Sequence, residues 1–370
     1  MKMNHTRALA LPAETTHSSL PVFMVINADV QNGMPEIPPF ITSQGESLRT
    51  AGWNVSFGII DDRTTPIGFL RNIKRLKQER ARAEYGIVHA QYGSVTAAAA
   101  HLIRGQWPLV VSFCGDDLLG TPNPGLVWRL RERIARLAGL WAARSSAAVI
   151  VKSENLLQAL PDNLRSRVTV LPNGVDVDWF QPLDQNECRS RLGWPLSTKI
   201  VLFNRSADSN MAVKNPALAH ETIKVLSQSF DVMLKTMSQS SRDEVLWMLN
   251  AADCLLVTSY HEGSPNIVKE AMACNLPVVS VPCGDVSERL RWVRPGGVAS
   301  YDAYALANII KPVLLAGVRS NGREQLIAQR LTLVAVANQL SRIYTEVLSK
   351  VGAVPGSRTG SNQTRPQSVR

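Results

Sequence analysis

The stretch 254–281, CLLVTSYHEGSPNIVKEAMACNLPVVSV, constrains the fold of this chain more than any other. Its apolar run at 254–257, bounded by Thr258 and Ser259, has the length and content of a buried parallel strand. Ser264 can cap the helix that follows, with Pro265 at its first position. Ala271, Met272 and Ala273 continue that helix, Asn275 can end it, and 277–281 reads as the next buried strand. Strand, helix and strand in this order make a unit with a right-handed crossover. The amides at the helix start then lie at the C-terminal edge of a parallel sheet, where anions bind. Glu262 lies before the helix and Glu270 two turns later; a carboxylate pair suits hydroxyls rather than phosphate, because like charges repel. A ligand with both phosphate and polyol parts, such as a nucleotide sugar, fits this set. Solvated helix-face acids are the alternative.

At 370 residues the chain exceeds the usual size of a single core, so two domains are expected. Strands are predicted at 21–27, 54–60, 87–90, 109–113, 147–151 and 168–171, with helices over 40–51, 68–82 and 126–144 between them. That alternation argues a parallel α/β domain. Pro172-Asn-Gly is turn chemistry that closes it. A second run follows, with a strand at 199–203, a helix at 216–227, a weak strand near 231–234 and a helix at 242–252. The opening unit comes next, then helices at 285–292, 302–315 and one or two within 324–350. The expected organisation is a disordered leader (1–20), Rossmann-like domains over 21–176 and 177–350, and a disordered basic tail (351–370).

Hydrophobic content of 45% and charge of 19% describe a globular protein, with no apolar stretch long enough to span a bilayer. The N-terminus has no hydrophobic region with a cleavage site, so a cytoplasmic location is expected. Five cysteines without a Cys-x-x-Cys pair suggest reduced thiols and no structural zinc. No Gly-x-Gly-x-x-Gly follows the first strand, which disfavours a dinucleotide-dependent dehydrogenase. The net charge of +10 is concentrated on two helices. In 68–82, Arg71, Lys74, Arg75, Lys77, Arg80 and Arg82 lie mainly outside a stripe of Phe69, Ile73 and Leu76; 126–144 carries Arg129, Arg131, Arg133 and Arg136. These are either solvated faces or attract an anionic surface, a membrane or a charged glycan. No aromatic residues interleave with the charges, so nucleic acid is not an expected partner.

Two α/β halves, Pro172-Asn-Gly-Val-Asp176, Glu262-Gly-Ser-Pro265, Glu270-Ala-Met272, Asn275-Leu-Pro-Val-Val279 and Gly284-Asp-Val286 occur in that order. Over about 21–348 the chain thereby resembles the retaining glycosyltransferases of family 4, whose GT-B architecture sets two Rossmann domains across a cleft. The resemblance implies that Glu270 holds the donor ribose and that Glu262 lies against the transferred sugar. The backbone of Gly263, Ser264, Pro265, Asn266 and Ile267 would face the donor sugar and phosphate. Arg205 and Lys214 would neutralise the diphosphate, a role with its own physical reason, since a departing diphosphate gains negative charge. His89, Gln91 and Asp117 would stand on the acceptor side of the cleft. Gln91 occupies a place where the family often has histidine, and an amide cannot carry a proton. His89 as a strand-end histidine bonded to backbone, and Asp117 as a turn cap, are the alternatives.

The resemblance therefore implies a retaining transferase of the hexosyltransferase type, moving a sugar from a UDP- or GDP-linked donor to a glycan or lipid-linked acceptor in cell-surface polysaccharide or glycolipid synthesis. It needs no cofactor, and with Arg205 and Lys214 in place of a cation it is expected to be metal-independent. Peripheral contact with the inner face of an anionic membrane is a further reading of the basic helices. The chain departs from the family in three places. The glycine-rich loop is reduced to Asn32-Gly33, Lys214 is followed by Asn215 rather than glycine, and 215–253 is short. A sugar-nucleotide epimerase and a non-catalytic nucleotide-sugar-binding regulator stay open as rivals.

Overall fold

The computed structural model describes residues 20–31, 34–62, 65–120, 125–205 and 213–350. The leader up to residue 19, Asn32-Gly33 and the tail 351–370 lie outside these.

Among the described residues, the first six long-range strands form one parallel sheet in the order Asn54–Ile60, Pro21–Asn27, Ile87–Ala90, Leu109–Phe113, Ala148–Val151 and Val168–Val170. Every residue of its two inner strands Ile87–Ala90 and Leu109–Phe113 is buried, as a sheet covered on both faces requires. Alternate side chains feed two cores. Phe23, Val25, Val88, Val111 and Val149 meet one helical layer, made of Pro66–Arg80, Ser94–Ile103, Leu126–Arg144 and Glu154–Ala159. Val22, Met24, Ile26, Ile87, Val110 and Ile150 meet the other.

That second layer corrects the expected domain assignment. Helix Pro39–Thr50 covers it, but so does the final helix Leu333–Lys350, counted above with 177–350. Val336, Ala337, Leu340, Tyr344, Val347 and Leu348 recur at helical spacing and pack into the first domain's core. Trp53 Nε1 donates to Ser341 Oγ at 2.9 Å, and the Trp53 and Tyr344 rings meet edge to face. The chain thus crosses between domains twice, and the two crossings run side by side. Val175 N–H donates to the Leu331 carbonyl at 2.8 Å, and Leu333 N–H to the Val175 carbonyl at 2.9 Å. A Cβ at Gly174 would stand 2.8 Å from Leu333 Cα and 2.9 Å from the Thr332 carbonyl oxygen. The glycine of Pro172-Asn-Gly therefore serves close backbone approach rather than the expected turn.

The second sheet is also parallel, in the order Val232–Met237, Lys199–Asn204, Cys254–Val257, Val278–Ser280 and Gly296–Val298, around one core. Val232–Met237 was legible only as a weak strand because it lies at the edge, with most of its residues partly or fully exposed. Its pairing with Lys199–Asn204 nonetheless runs over the full strand. A short hairpin, Asp29–Gln31 with Met34–Glu36, occupies part of the segment that reads as loop. The helix Ser94–Ile103 was not anticipated. Four consecutive alanines, all buried, give it no amphipathic stripe.

Candidate functional site

The strand Cys254–Val257 delivers the loop 258–265 to the C-terminal edge of the second sheet. Thr258 Oγ1 donates to the carbonyls of Lys214 and Asn215 at 2.8 and 2.9 Å, and Tyr260 N–H donates to Val213. Asn215, in the left-handed region, caps helix Pro216–Leu226 with its side chain. These bonds fix Lys214 beside the loop. Its ammonium lies 2.5 Å from Glu262 Oε1, which also accepts from Ser259 Oγ at 2.9 Å. Both side chains of that ion pair are 17% exposed.

The helix begins one residue later than predicted. Pro265 is its N-cap, helix Asn266–Ala273 follows, and no side chain caps it. Ser264 is diverted because its hydroxyl accepts from Lys269 Nζ at 3.0 Å. The first amides of the helix consequently keep their donors for another partner. Lys269 is fully buried and also donates to the Asn173 carbonyl at 2.9 Å, tying this helix to the interdomain crossing. Burial pulls its ammonium down to about 8. Nothing in the sequence distinguished Lys269 from a solvated helix lysine.

Arg205, Lys214, Glu262, Pro265, Asn266, Ile267 and Glu270 line one cavity of about 530 Å³, within the range of small-molecule sites. Phe40 from the first domain and the segment 237–240 complete its wall. The segment 206–212, which separates Arg205 from Lys214, lies outside the described residues. Glu270 also borders an adjoining hollow with Gly174, Asp176 and Arg242. Burial, opposed by the charges of Lys269 and Arg242, pushes its carboxyl up to about 7. Among the described residues no three His, Cys, Asp or Glu side chains converge as a metal site.

The first domain contributes differently from expectation. His89 and Gln91 are buried, at 0% and 2% exposure. His89 Nδ1 lies 2.6 Å from the Tyr344 hydroxyl and Nε2 2.8 Å from Ser112 Oγ, so its partners are side chains rather than backbone. Burial, with the Lys152 charge adding to it, holds the imidazole down to about 3. Gln91 Nε2 lies 3.3 Å from the same imidazole. Neither side chain is open to the cleft: Tyr344 of the final helix closes over His89, and Gln91 packs against Met24 and that imidazole. Asp117 accepts from the amides of Gly93, Cys114 and Gly115 at 2.6 to 3.1 Å, clamping two strand-end loops together. Burial outweighs those three bonds and raises its carboxyl to about 6.

The two domains touch beside the cavity. Asn155 Nδ2 donates to the Glu262 carbonyl at 3.2 Å, and His261 Nε2 lies 3.7 Å from Asp116 Oδ1. A Cβ on Gly263 would collide with the Cys114 carbonyl oxygen, so only glycine lets these loops meet.

Two parallel-sheet domains with a polar cavity at their junction define the GT-B class of fold. A solved sucrose-phosphate synthase from Thermosynechococcus elongatus superposes with a TM-score of 0.72 at 18% identity, over 90% of this chain and 100% of that one. Anabaena HepE in complex with UDP-glucose gives 0.64 at 18% identity, over 88% and 100%. The Glycosyltransferase Family 4 model matches residues 43–179, and the Glycosyl transferases group 1 model matches 222–315. The chain belongs to this family of glycosyltransferases. A D-inositol 3-phosphate glycosyltransferase of Mycolicibacterium smegmatis is 25% identical over 245 residues, covering 58% of this chain and 56% of the relative. The chain spans little more than half the length of the curated relatives it matches. No helix among the described residues is long and apolar enough to cross a membrane.

Proposed function

We propose that this chain is a retaining glycosyltransferase that takes a sugar from a UDP- or GDP-linked donor held in the second-domain cavity. The observation that carries the reading is the convergence of Arg205, Lys214, Glu262, Glu270 and an uncapped helix start on that one space. Glu270 accepts from the ribose hydroxyls, and the amides of Asn266 and Ile267 meet phosphate. Lys214 is held by Glu262 until the donor arrives, when the diphosphate competes for the ammonium and frees the carboxylate for sugar hydroxyls. Arg205 and Lys214 then stabilise the departing diphosphate, without a metal ion or other cofactor. With His89 and Gln91 sealed away, we assign the acceptor's proton to the departing phosphate oxygen. The acceptor is a glycan or lipid-linked glycan, approaching from the first domain, in polysaccharide or glycolipid synthesis.

Calorimetric titration with UDP, GDP and ADP tests the reading. One nucleotide binds selectively, and Glu270→Ala weakens it by about 2–3 kcal/mol, roughly 30- to 150-fold. Transfer activity in that nucleotide's sugar survives a strong chelator. Absence of binding at millimolar nucleotide would sink the proposal; binding of a nucleotide sugar without transfer or hydrolysis would favour a regulator, and turnover of the donor sugar to its epimer without acceptor would favour an epimerase.

A further inference from the structure

Helix Leu126–Arg144 carries apolar side chains on two opposite faces. Gly139, Leu140, Ala142 and Ala143 point inward, where the helix packs on Ser94–Ile103. On the far side Leu126, Val127, Leu130, Ile134 and Leu137 are between 56% and 81% exposed, and Trp141, 45% exposed, ends the stripe with one edge of its ring against His101 of the neighbouring helix. Positions 126, 130, 134, 137 and 141 follow the spacing of a single helical stripe, and Val127 widens it to an arc of roughly 100°. Arg131 borders one edge of the arc; Arg129, Arg133 and Arg136 border the other, all exposed. The helix's one acid, Glu132, falls on the inward side. Helix Pro66–Arg80, in the same layer, adds exposed Ile67 and Leu70 beside exposed Arg71, Lys74 and Lys77.

A solvated helix face explains the arginines but not six exposed apolar side chains in register between them. The occupant must be apolar along its middle and anionic on both sides. The tail 351–370 fails this requirement, since its only charged residues are Arg358, Arg365 and Arg370. A second copy fails it too, because pairing two ridges sets arginine rows against each other with no acid to offset them. An anionic bilayer meets it. The convex ridge, about 28 Å long for its nineteen residues, presents no groove for a protein segment.

We propose that this ridge lies in the interfacial layer of an anionic membrane, its axis in the membrane plane. The stripe is buried roughly 5–10 Å deep, with Trp141 at the headgroup boundary and the arginines on lipid phosphates. This inference is independent of the donor site, so either can fail alone.

Co-sedimentation of the full chain with vesicles tests it. The protein pellets with phosphatidylcholine vesicles containing a phosphatidylglycerol minority at low salt, is released at high salt, and ignores pure phosphatidylcholine. Arg129→Gln/Arg133→Gln/Arg136→Gln lowers partitioning on the order of a hundredfold, each arginine being worth roughly fivefold. Leu130→Gln/Ile134→Gln/Leu137→Gln lowers it at least tenfold while leaving circular dichroism and nucleotide binding unchanged. Lipid brominated in its acyl chains quenches a component of tryptophan fluorescence that Trp141→Phe removes, which separates insertion from mere adsorption. Failure to pellet at low salt would overturn the proposal, as would an apolar triple variant that pellets like the parent. A parent dimer that the same variant converts to monomer in sedimentation velocity would assign the ridge to a second copy instead.

Discussion

His89 lies near the end of a strand in the first sheet, and Glu262 follows a strand end in the second. Both sheets are parallel and both positions sit at the C-terminal edge, yet one side chain is fully buried and the other opens on a cavity. The difference comes from what arrives later in the chain. Helix Leu333–Lys350 returns to the first sheet and lays Tyr344 against His89, whereas the loop 258–265 is left at the domain junction. A polar residue at a strand end becomes a binding group only where no later element covers it, and that is decided elsewhere in the sequence.

The sharpest way to break this comparison is to remove the cover. Ending the chain after Thr332 deletes six core side chains of the first domain, a loss on the order of 10 kcal/mol and comparable with the stability of a whole domain. The first domain then becomes protease-sensitive while the second resists; parental melting of the shortened chain would contradict the packing. A smaller effect follows from the buried imidazole. The folded state holds His89 at about 3, below its ordinary value of 6.5, so the unfolded chain binds the extra proton. Stability is therefore complete above pH 6.5 and falls as the pH drops toward 3, by on the order of 4 kcal/mol. His89→Gln flattens that acid limb of a melting-temperature profile, even if it lowers stability at neutral pH. An unchanged limb would show that His89 is not its source.

Glu270 has the opposite sign. Its folded carboxyl titrates near 7, above the ordinary 4.5, so ionisation costs stability as the pH rises from 4.5 to 7. Glu270→Gln thus raises the melting temperature by a few degrees at pH 8, makes no difference at pH 4, and weakens nucleotide binding throughout. Destabilisation at pH 8 would mean that the carboxylate is structural. The smallest expected effect is at the paired crossings. Gly174→Ala forces them apart and costs about 1–2 kcal/mol in urea titration; no change would show that the crossings yield freely.

The parallel α/β alternation, both sheets and the grouping of Glu262, Pro265, Asn266, Ile267 and Glu270 were legible because each rests on local pattern, apolar runs and carboxylates at fixed spacing. Gly263 and Ser264 of the same stretch turn to Cys114 and Lys269 instead of the cavity. The assignment of Leu333–Lys350 was not, since an amphipathic helix states that it covers a core but not which core. The burial of His89 and Gln91 was not legible either, since the partners of His89 are residues 344 and 112 and those of Gln91 are Met24 and the His89 imidazole. Lys269 was invisible because its partners, Ser264 and the Asn173 carbonyl, lie on different segments. Gly174 reads as a turn in the sequence because the backbone it must admit, Thr332 and Leu333, lies more than 150 residues away in the chain.

The return of the last helix also sets an order of assembly. Domains generally fold as they leave the ribosome, N-terminal first. Here the domain that is synthesised first waits for residues 333–350 to emerge, because until then one whole face of its sheet, with Met24, Ile26 and Ile150, has only one of its two covering helices. The domain that is synthesised second has its core within its own stretch of chain and can finish earlier. Completion of the first domain therefore requires translation to have passed through the whole of the second.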